Sequence, residues 1–115
     1  MYTALQLIAE HKNAYILVDP VMGDFGKFYD KKSESLSKHI KRLCQAADLI
    51  TQNLTEACIL ANLSYINNPS DSEIKDILIK LKTLNAKNIV LTGVVEDNIV
   101  KNYIYDQDEN MYTVK

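Results

Sequence analysis

The chain has 115 residues, 47% hydrophobic and 24% charged, with a formal net charge of −2. That length fits one domain and the apolar fraction excludes a wholly disordered chain. Thirteen basic against fifteen acidic residues leave no positive excess for a nucleic-acid footprint, and no apolar run approaches the ~20 residues of a membrane span.

In chain order, Leu5, Ile8 and Ala9 share one helical face, with His11-Lys12-Asn13 as a C-terminal turn. Ala14-Tyr15-Ile16-Leu17-Val18 is a continuous apolar run halted by Asp19-Pro20, the pattern of a parallel strand buried on both faces. Gly23 to Lys32 reads as a loop. A second helix is expected from Ser33 or Ser35, with Leu36, Ile40, Leu43 and Ala47 as its apolar stripe. Ala47–Thr51 is a short second strand. Asn53-Leu54-Thr55-Glu56 has the spacing of a capping box and opens a helix through about Leu63.

Pro69-Ser70-Asp71 starts a further helix whose Ile74, Ile77, Leu78, Leu81 and Leu84 form one stripe. Asn88–Thr92 is a third strand ending at Gly93. Asn98–Tyr105 and Met111–Val114 flank a polar turn and read as a hairpin. Strands alternating with helices mean right-handed crossovers and an α/β parallel sheet with an antiparallel pair at its end. Cys44 and Cys58 fall on helical periodicity and read as small buried hydrophobes. With no leader sequence, a reducing, cytoplasmic setting is expected. His11 and His39 read as exposed helix residues, and Lys38, Lys41 and Arg42 as a solvated face.

Ligands of an open parallel sheet bind beyond the carboxyl ends of its strands. There the first strand delivers Asp19 and the Val21–Asp24 loop, the second Thr51, Asn53 and Glu56, and the third Thr92 and Gly93. Asp19, Asp24, Asn53 and Glu56 are hard oxygen donors of the type magnesium takes directly or through its waters. The helix start after Asn53 and the Gly93 amide are candidate phosphate contacts. Each residue also has a plain structural reading, as a turn, a cap or a strand end; the signal is their convergence on one edge.

Val18-Asp19-Pro20-Val21-Met22-Gly23-Asp24, with Gly26-Lys27 and Tyr29 after it, closely resembles the Asp-Pro-Val-Met-Gly-Asp segment of pyridoxal kinases, in the ribokinase-like superfamily. Ala47-Asp48-Leu49-Ile50-Thr51-Gln52-Asn53-Leu54-Thr55-Glu56-Ala57 is similar to that family's Ala-Asp-Ile-Ile-Thr-Pro-Asn-x-x-Glu-Ala stretch, and Leu91-Thr92-Gly93-Val94 to its next strand end. The resemblance implies a three-layer fold, a parallel sheet with helices on its faces, of which residues 1–115 would be an internal portion of a single kinase domain.

It further implies Mg2+ and ATP, with K+ as a further ion, and transfer of the γ-phosphoryl group to the 5′-hydroxyl of a pyridoxal-type vitamer. Asp19, Tyr29, Asn53, Glu56, Thr92 and Gly93 would contact the nucleotide, and Asp19, Asp24, Thr51 and Glu56 the metal. The full-length protein would be a homodimer, with no nucleic-acid or membrane partner.

Two departures stand out. Gln52 replaces the family's usual proline. The Gly-Thr-Gly-Asp segment, with the aspartate that takes the hydroxyl proton, is expected downstream of Lys115, so this chain alone is expected not to catalyse transfer. Three glycines, where ~7% usage would give about eight, agree with that missing turn. A hydroxymethylpyrimidine kinase and a non-catalytic α/β assembly module are the alternatives.

Overall fold

The computed structural model describes residues 4–84 and 87–115. Four helices, α1 (Ala4–Glu10), α2 (Lys31–Gln45), α3 (Leu54–Leu60) and α4 (Asp71–Lys82), accompany seven strands. The strands are β1 (Leu17–Val18), β2 (Gly23–Asp24), β3 (Lys27–Phe28), β4 (Leu49–Gln52), β5 (Asn88–Glu96), β6 (Ile99–Tyr105) and β7 (Met111–Val114). Five of them form one sheet in the order β1-β4-β5-β6-β7, and β2 pairs with β3 apart from it. The β1–β4 and β4–β5 pairs are parallel, β5–β6 and β6–β7 antiparallel. This is the α/β architecture expected, with its antiparallel strands at the C-terminal edge.

Strand alternation sets the core. Ile50, Ile89, Leu91, Tyr103 and Tyr105 point to one face and join a single cluster with Cys44 of α2, Ala57, Cys58 and Leu60 of α3, and Ile74, Ile77, Leu78 and Leu81 of α4. Burying each large aliphatic chain contributes ~1.5–3 kcal/mol. The alternate positions Leu49, Thr51, Val90 and Thr92 are half-buried on the opposite face. Cys44 and Cys58 are the buried hydrophobes expected, and burial pushes the Cys44 thiol up to about 12. No helix among the described residues is long and apolar enough to cross a membrane.

Several elements differ from the sequence reading. The Ala14–Val18 run contributes only Leu17–Val18 as strand, and Leu17 is 58% exposed rather than buried on both faces. As an edge strand, β1 has a ladder on the β4 side alone among the described residues. The expected loop contains the β2–β3 hairpin. Helix α2 begins at Lys31, ahead of both serines, because Asp30 is the residue that caps it, accepting the Ser33 N–H at 2.7 Å. Helix α3 ends at Leu60, short of Leu63. Asn62 there takes φ +56° and Leu63 N–H returns to the Cys58 carbonyl at 2.9 Å, a left-handed stop.

The third strand runs on through Gly93 to Glu96. A bulge between Leu91 and Val94 absorbs Gly93 at φ +71°, and Asp97-Asn98, both at positive φ, turn the chain into β6. The expected capping box of Asn53 with Glu56 is present on α3, and Ser70 with Glu73 forms a second one on α4.

Asp48 ties β1, β4 and β5 together where the parallel ladders begin. Its Oδ2 accepts the Ile16 N–H at 2.7 Å and its Oδ1 lies 3.1 Å from the Lys87 ammonium. Its backbone carbonyl accepts from Asn88. The Ile16 amide first, and then Lys87, hold the carboxyl below its ordinary 3.8. A lowered carboxylate contributes stability that is present above 3.8 and lost as pH falls through the lowered value. In urea titrations the Asp48→Ala variant is therefore expected to unfold earlier than wild type at neutral pH, with the gap closing under acid. A gap that persists with Asp48 protonated would show that the carboxylate's charge is not what matters.

Candidate functional site

The carboxyl ends of β1 and β4 and the middle of β5 meet at one edge of the sheet. Asp19 follows β1, Thr51 and Gln52 end β4, Asn53 and Glu56 open α3, and Thr92 sits on β5. These residues, with Val21 and Tyr29, line a cavity of about 330 Å³. Its centre is Glu56, only 4% exposed. Oε2 of Glu56 accepts the Met22 N–H at 2.9 Å and Oε1 accepts the Asn53 N–H at 3.0 Å. Asn53 answers by accepting the Glu56 N–H through Oδ1 at 2.8 Å and donating Nδ2 to the Gly23 carbonyl at 2.9 Å. What begins as a capping box thus also grips the segment after β1.

Burial pushes the Glu56 carboxyl above its ordinary 4.5, and the nearby Asp19 adds to this, while the Asn53 and Met22 amides pull it back. The Tyr29 phenol is raised as well, by partial burial and then by Asp24, Glu56 and Asp19. The Tyr29 N–H bonds the Met22 carbonyl at 2.9 Å, closing the hairpin that carries it.

The residues singled out from the sequence do not all share one cavity. Asp19, Tyr29, Thr51, Asn53, Glu56 and Thr92 do. Asp24 and Gly93 line an adjoining cavity of about 220 Å³ with Phe25, Thr55, Tyr65 and Asn68, and Asn53 borders both. Asp24 caps its own turn, its Oδ1 accepting the Phe25 N–H at 2.8 Å. The Gly93 N–H is taken by Asn102 Oδ1 at 3.0 Å, because the bulge turns it toward β6. The Thr92 hydroxyl bonds the Gln52 carbonyl at 3.3 Å, joining the two strands at the cavity floor. His39 on α2 and His11 beyond α1 are exposed and stand outside both cavities.

No three His, Cys, Asp or Glu side chains among the described residues converge as a direct metal-binding group. Both Glu56 oxygens already hold amide hydrogens. Magnesium keeps several waters and takes one or two carboxylates together with phosphate oxygens. Asp19 and Glu56 fit an ion of that kind through its waters.

Sequence reasoning missed two residues. Thr55, 3% exposed, accepts the Gly26 N–H through its hydroxyl oxygen at 2.9 Å. Gln52 is 1% exposed, and neither its Oε1 nor its Nε2 has a hydrogen-bond partner among the described residues. Its departure from the proline expected there by resemblance was the available signal.

The sequence profile of the phosphomethylpyrimidine kinase family matches residues 1–115. No curated protein matches significantly. Among solved structures, a Bacteroides thetaiotaomicron protein assigned as a phosphomethylpyrimidine kinase superposes with a TM-score of 0.86 at 28% identity, covering 96% of this chain and 40% of that one. A second crystal form of it holds pyridoxal. Pyridoxal kinase from Entamoeba histolytica gives 0.77 at 27% identity over 95% of this chain and 40% of its own. Pyridoxal kinase from Staphylococcus aureus, in complex with AMP-PCP, gives 0.70 at 25% over 93% and 38%. The chain spans about two-fifths of the length of each of these structures.

Removing the Glu56 carboxylate leaves two amides without their acceptor. Glu56→Ala is expected to lower unfolding free energy by ~2–6 kcal/mol, at ~1–3 kcal/mol for each of the two stranded donors, read from urea midpoints. The raised carboxyl contributes stability present below 4.5 and lost as pH climbs through the raised value. The stability difference between wild type and Glu56→Gln should therefore shift against wild type over that range. Gln52→Met removes an unpaired buried amide at similar volume and should raise stability by ~1 kcal/mol. A fall in its unfolding midpoint would show that the amide does hold a bond.

Proposed function

The chain belongs to the phosphomethylpyrimidine kinase family, and we propose that residues 1–115 form the nucleotide-positioning part of an ATP-dependent pyridoxal-type kinase domain. The observation that carries this reading is the Glu56–Asn53 pair, which clamps Met22 and Gly23 beside Asp19 at the sheet edge. A cluster of carboxylates held by amides, with threonine hydroxyls at its floor, suits a polyphosphate with its cation. The AMP-PCP bound to the Staphylococcus aureus kinase supports ATP as co-substrate.

In this reading Asp19 and Glu56 would hold a hydrated magnesium ion through its waters, and the ion when bound would neutralise phosphate charge. Asn53 keeps the Glu56 carboxylate aimed. Thr51 and Thr92 lie on the same floor and offer hydroxyls to phosphate or to a monovalent cation. Tyr29, on the strand-linked hairpin, shields the site from water. Asp24 and Gly93 serve from the adjoining cavity. Phosphoryl transfer is mostly positioning and charge neutralisation, so these residues bind and orient. The group that takes the hydroxyl proton is expected outside residues 1–115, and the isolated chain is expected to bind without turnover.

For the acceptor we favour the hydroxymethyl group of pyridoxal, because the Bacteroides relative was crystallised with pyridoxal. A hydroxymethylpyrimidine is the second reading, favoured by the family's own description.

Titration calorimetry with AMP-PCP tests the nucleotide reading. The chain is expected to bind AMP-PCP when magnesium is present, with affinity falling at least ~tenfold in Asp19→Ala, a loss of ~1.4 kcal/mol. Absence of binding with magnesium, or affinity indifferent to both magnesium and Asp19, would overturn it.

A further inference from the structure

The β2–β3 hairpin carries Asp24 on one side of its turn and leads to Tyr29 on the other, yet it has little to hold its own shape. Each strand is two residues long, well below what a hairpin needs to be stable alone. Phe25 and Gly26 at the turn both take positive φ, +50° and +80°. For a phenylalanine that conformation is strained, and its ring is 85% exposed, so no packing of that ring offsets the strain. The Met22 and Gly23 ends are gripped by Glu56 and Asn53. Neither of those side chains reaches the turn.

Two residues do. The buried Thr55 accepts the Gly26 N–H through Oγ1. Gly26 also meets the Tyr65 ring so closely that a Cβ there would stand 2.8 Å from Cδ1. The turn is pinned by a hydroxyl on the first turn of α3 and an aromatic ring in the loop that follows that helix.

We infer that Thr55 is a positioning residue: by accepting the Gly26 N–H it fixes the hairpin turn and thereby sets where Asp24 and Tyr29 stand at the two cavities. Side chains 53, 55 and 56 then act together, holding Gly23, Gly26 and Met22 respectively, so one helical turn carries the whole hairpin. The consequence for ligand binding rests on the nucleotide reading of Asp24 and Tyr29. The positioning itself does not.

The test compares Thr55→Val, which removes the acceptor at near-constant volume, with Thr55→Ser, which keeps it, using amide exchange and amide resonances of the 15N-labelled chain. In the valine variant the Gly26 amide is expected to exchange about tenfold faster, the worth of one hydrogen bond. The Asp24 and Tyr29 resonances move, the Ile50 and Leu91 amides in the sheet stay as protected as before, and serine restores all of these. An unchanged Gly26 amide, or equal acceleration at Ile50 and Leu91, overturns the inference.

Should the valine variant not fold, Gly26→Ala displaces the turn against Tyr65 while leaving Thr55 in place. Asp24 and Tyr29 resonances that stay put in that variant overturn the inference equally. AMP-PCP affinity, measured in parallel, separates the two readings. Loosened exchange at Gly26 with unchanged affinity upholds the positioning role and removes the hairpin from the nucleotide site.

Discussion

One buried carboxylate organises the sheet edge. Glu56 holds two backbone amides that lie far apart in sequence, Met22 after β1 and Asn53 at the end of β4. Leaving water is costly for a carboxylate, and the raised Glu56 carboxyl registers that cost. The amides recover much of it only if both segments stand where they do. Because one carboxylate serves a helix cap through Oε1 and a long-range tether through Oε2, the direction of α3 and the path of the chain beyond β1 are set together. A capping box on an isolated helix contributes locally. Here it also ties Met22 and Gly23 to the segment that follows β4.

That constraint explains why one edge carries two cavities. Asn53 spends Oδ1 on the Glu56 amide and Nδ2 on the Gly23 carbonyl, so its side chain becomes a fixed wall. Asp19, Thr51 and Thr92 fall on one side of it, Asp24 and Gly93 on the other. Asp19 follows a strand of the main sheet, whereas Asp24 belongs to the separate hairpin, and the two carboxylates are therefore positioned by different parts of the fold. Spacing along the chain cannot distinguish these cases, since the two lie only five positions apart.

The elements legible in the sequence were those with local causes. The Asn53–Glu56 capping box, the Ile74–Leu81 stripe and the buried cysteines follow from periodicity and side-chain reach, and the structure has them. Less legible were features set by neighbours. The Ala14–Val18 run is as apolar as a central strand, but its burial depends on what lies beside β1, which the run does not encode. The end of β5 was misplaced because Gly93 looks like a terminator. Inside an antiparallel pair a glycine at positive φ instead makes a bulge and lets the strand continue. Convergence of the site residues followed from strand order alone. Their division by Asn53, and the Thr55 contact, needed three dimensions.

The glycine shortage takes on a different meaning in this light. All three glycines, Gly23, Gly26 and Gly93, lie at this edge, and each answers a separate steric demand. At Gly23 a Cβ would sit 2.2 Å from the Lys27 carbonyl oxygen, so the hairpin strands could not close. At Gly26 it would meet the Tyr65 ring, and φ is +80°. At Gly93 space is open, and the left-handed φ of the bulge is the sole demand. Elsewhere positive φ falls on Asn62, Asn68, Asp97 and Asn98, which tolerate it, and on Glu109 in the β6–β7 turn. Phe25 is a bulky residue held left-handed at the hairpin tip. Such a residue persists where its surroundings over-determine it, and the bonds from α3 to Met22, Gly23 and Gly26 supply that excess of constraint.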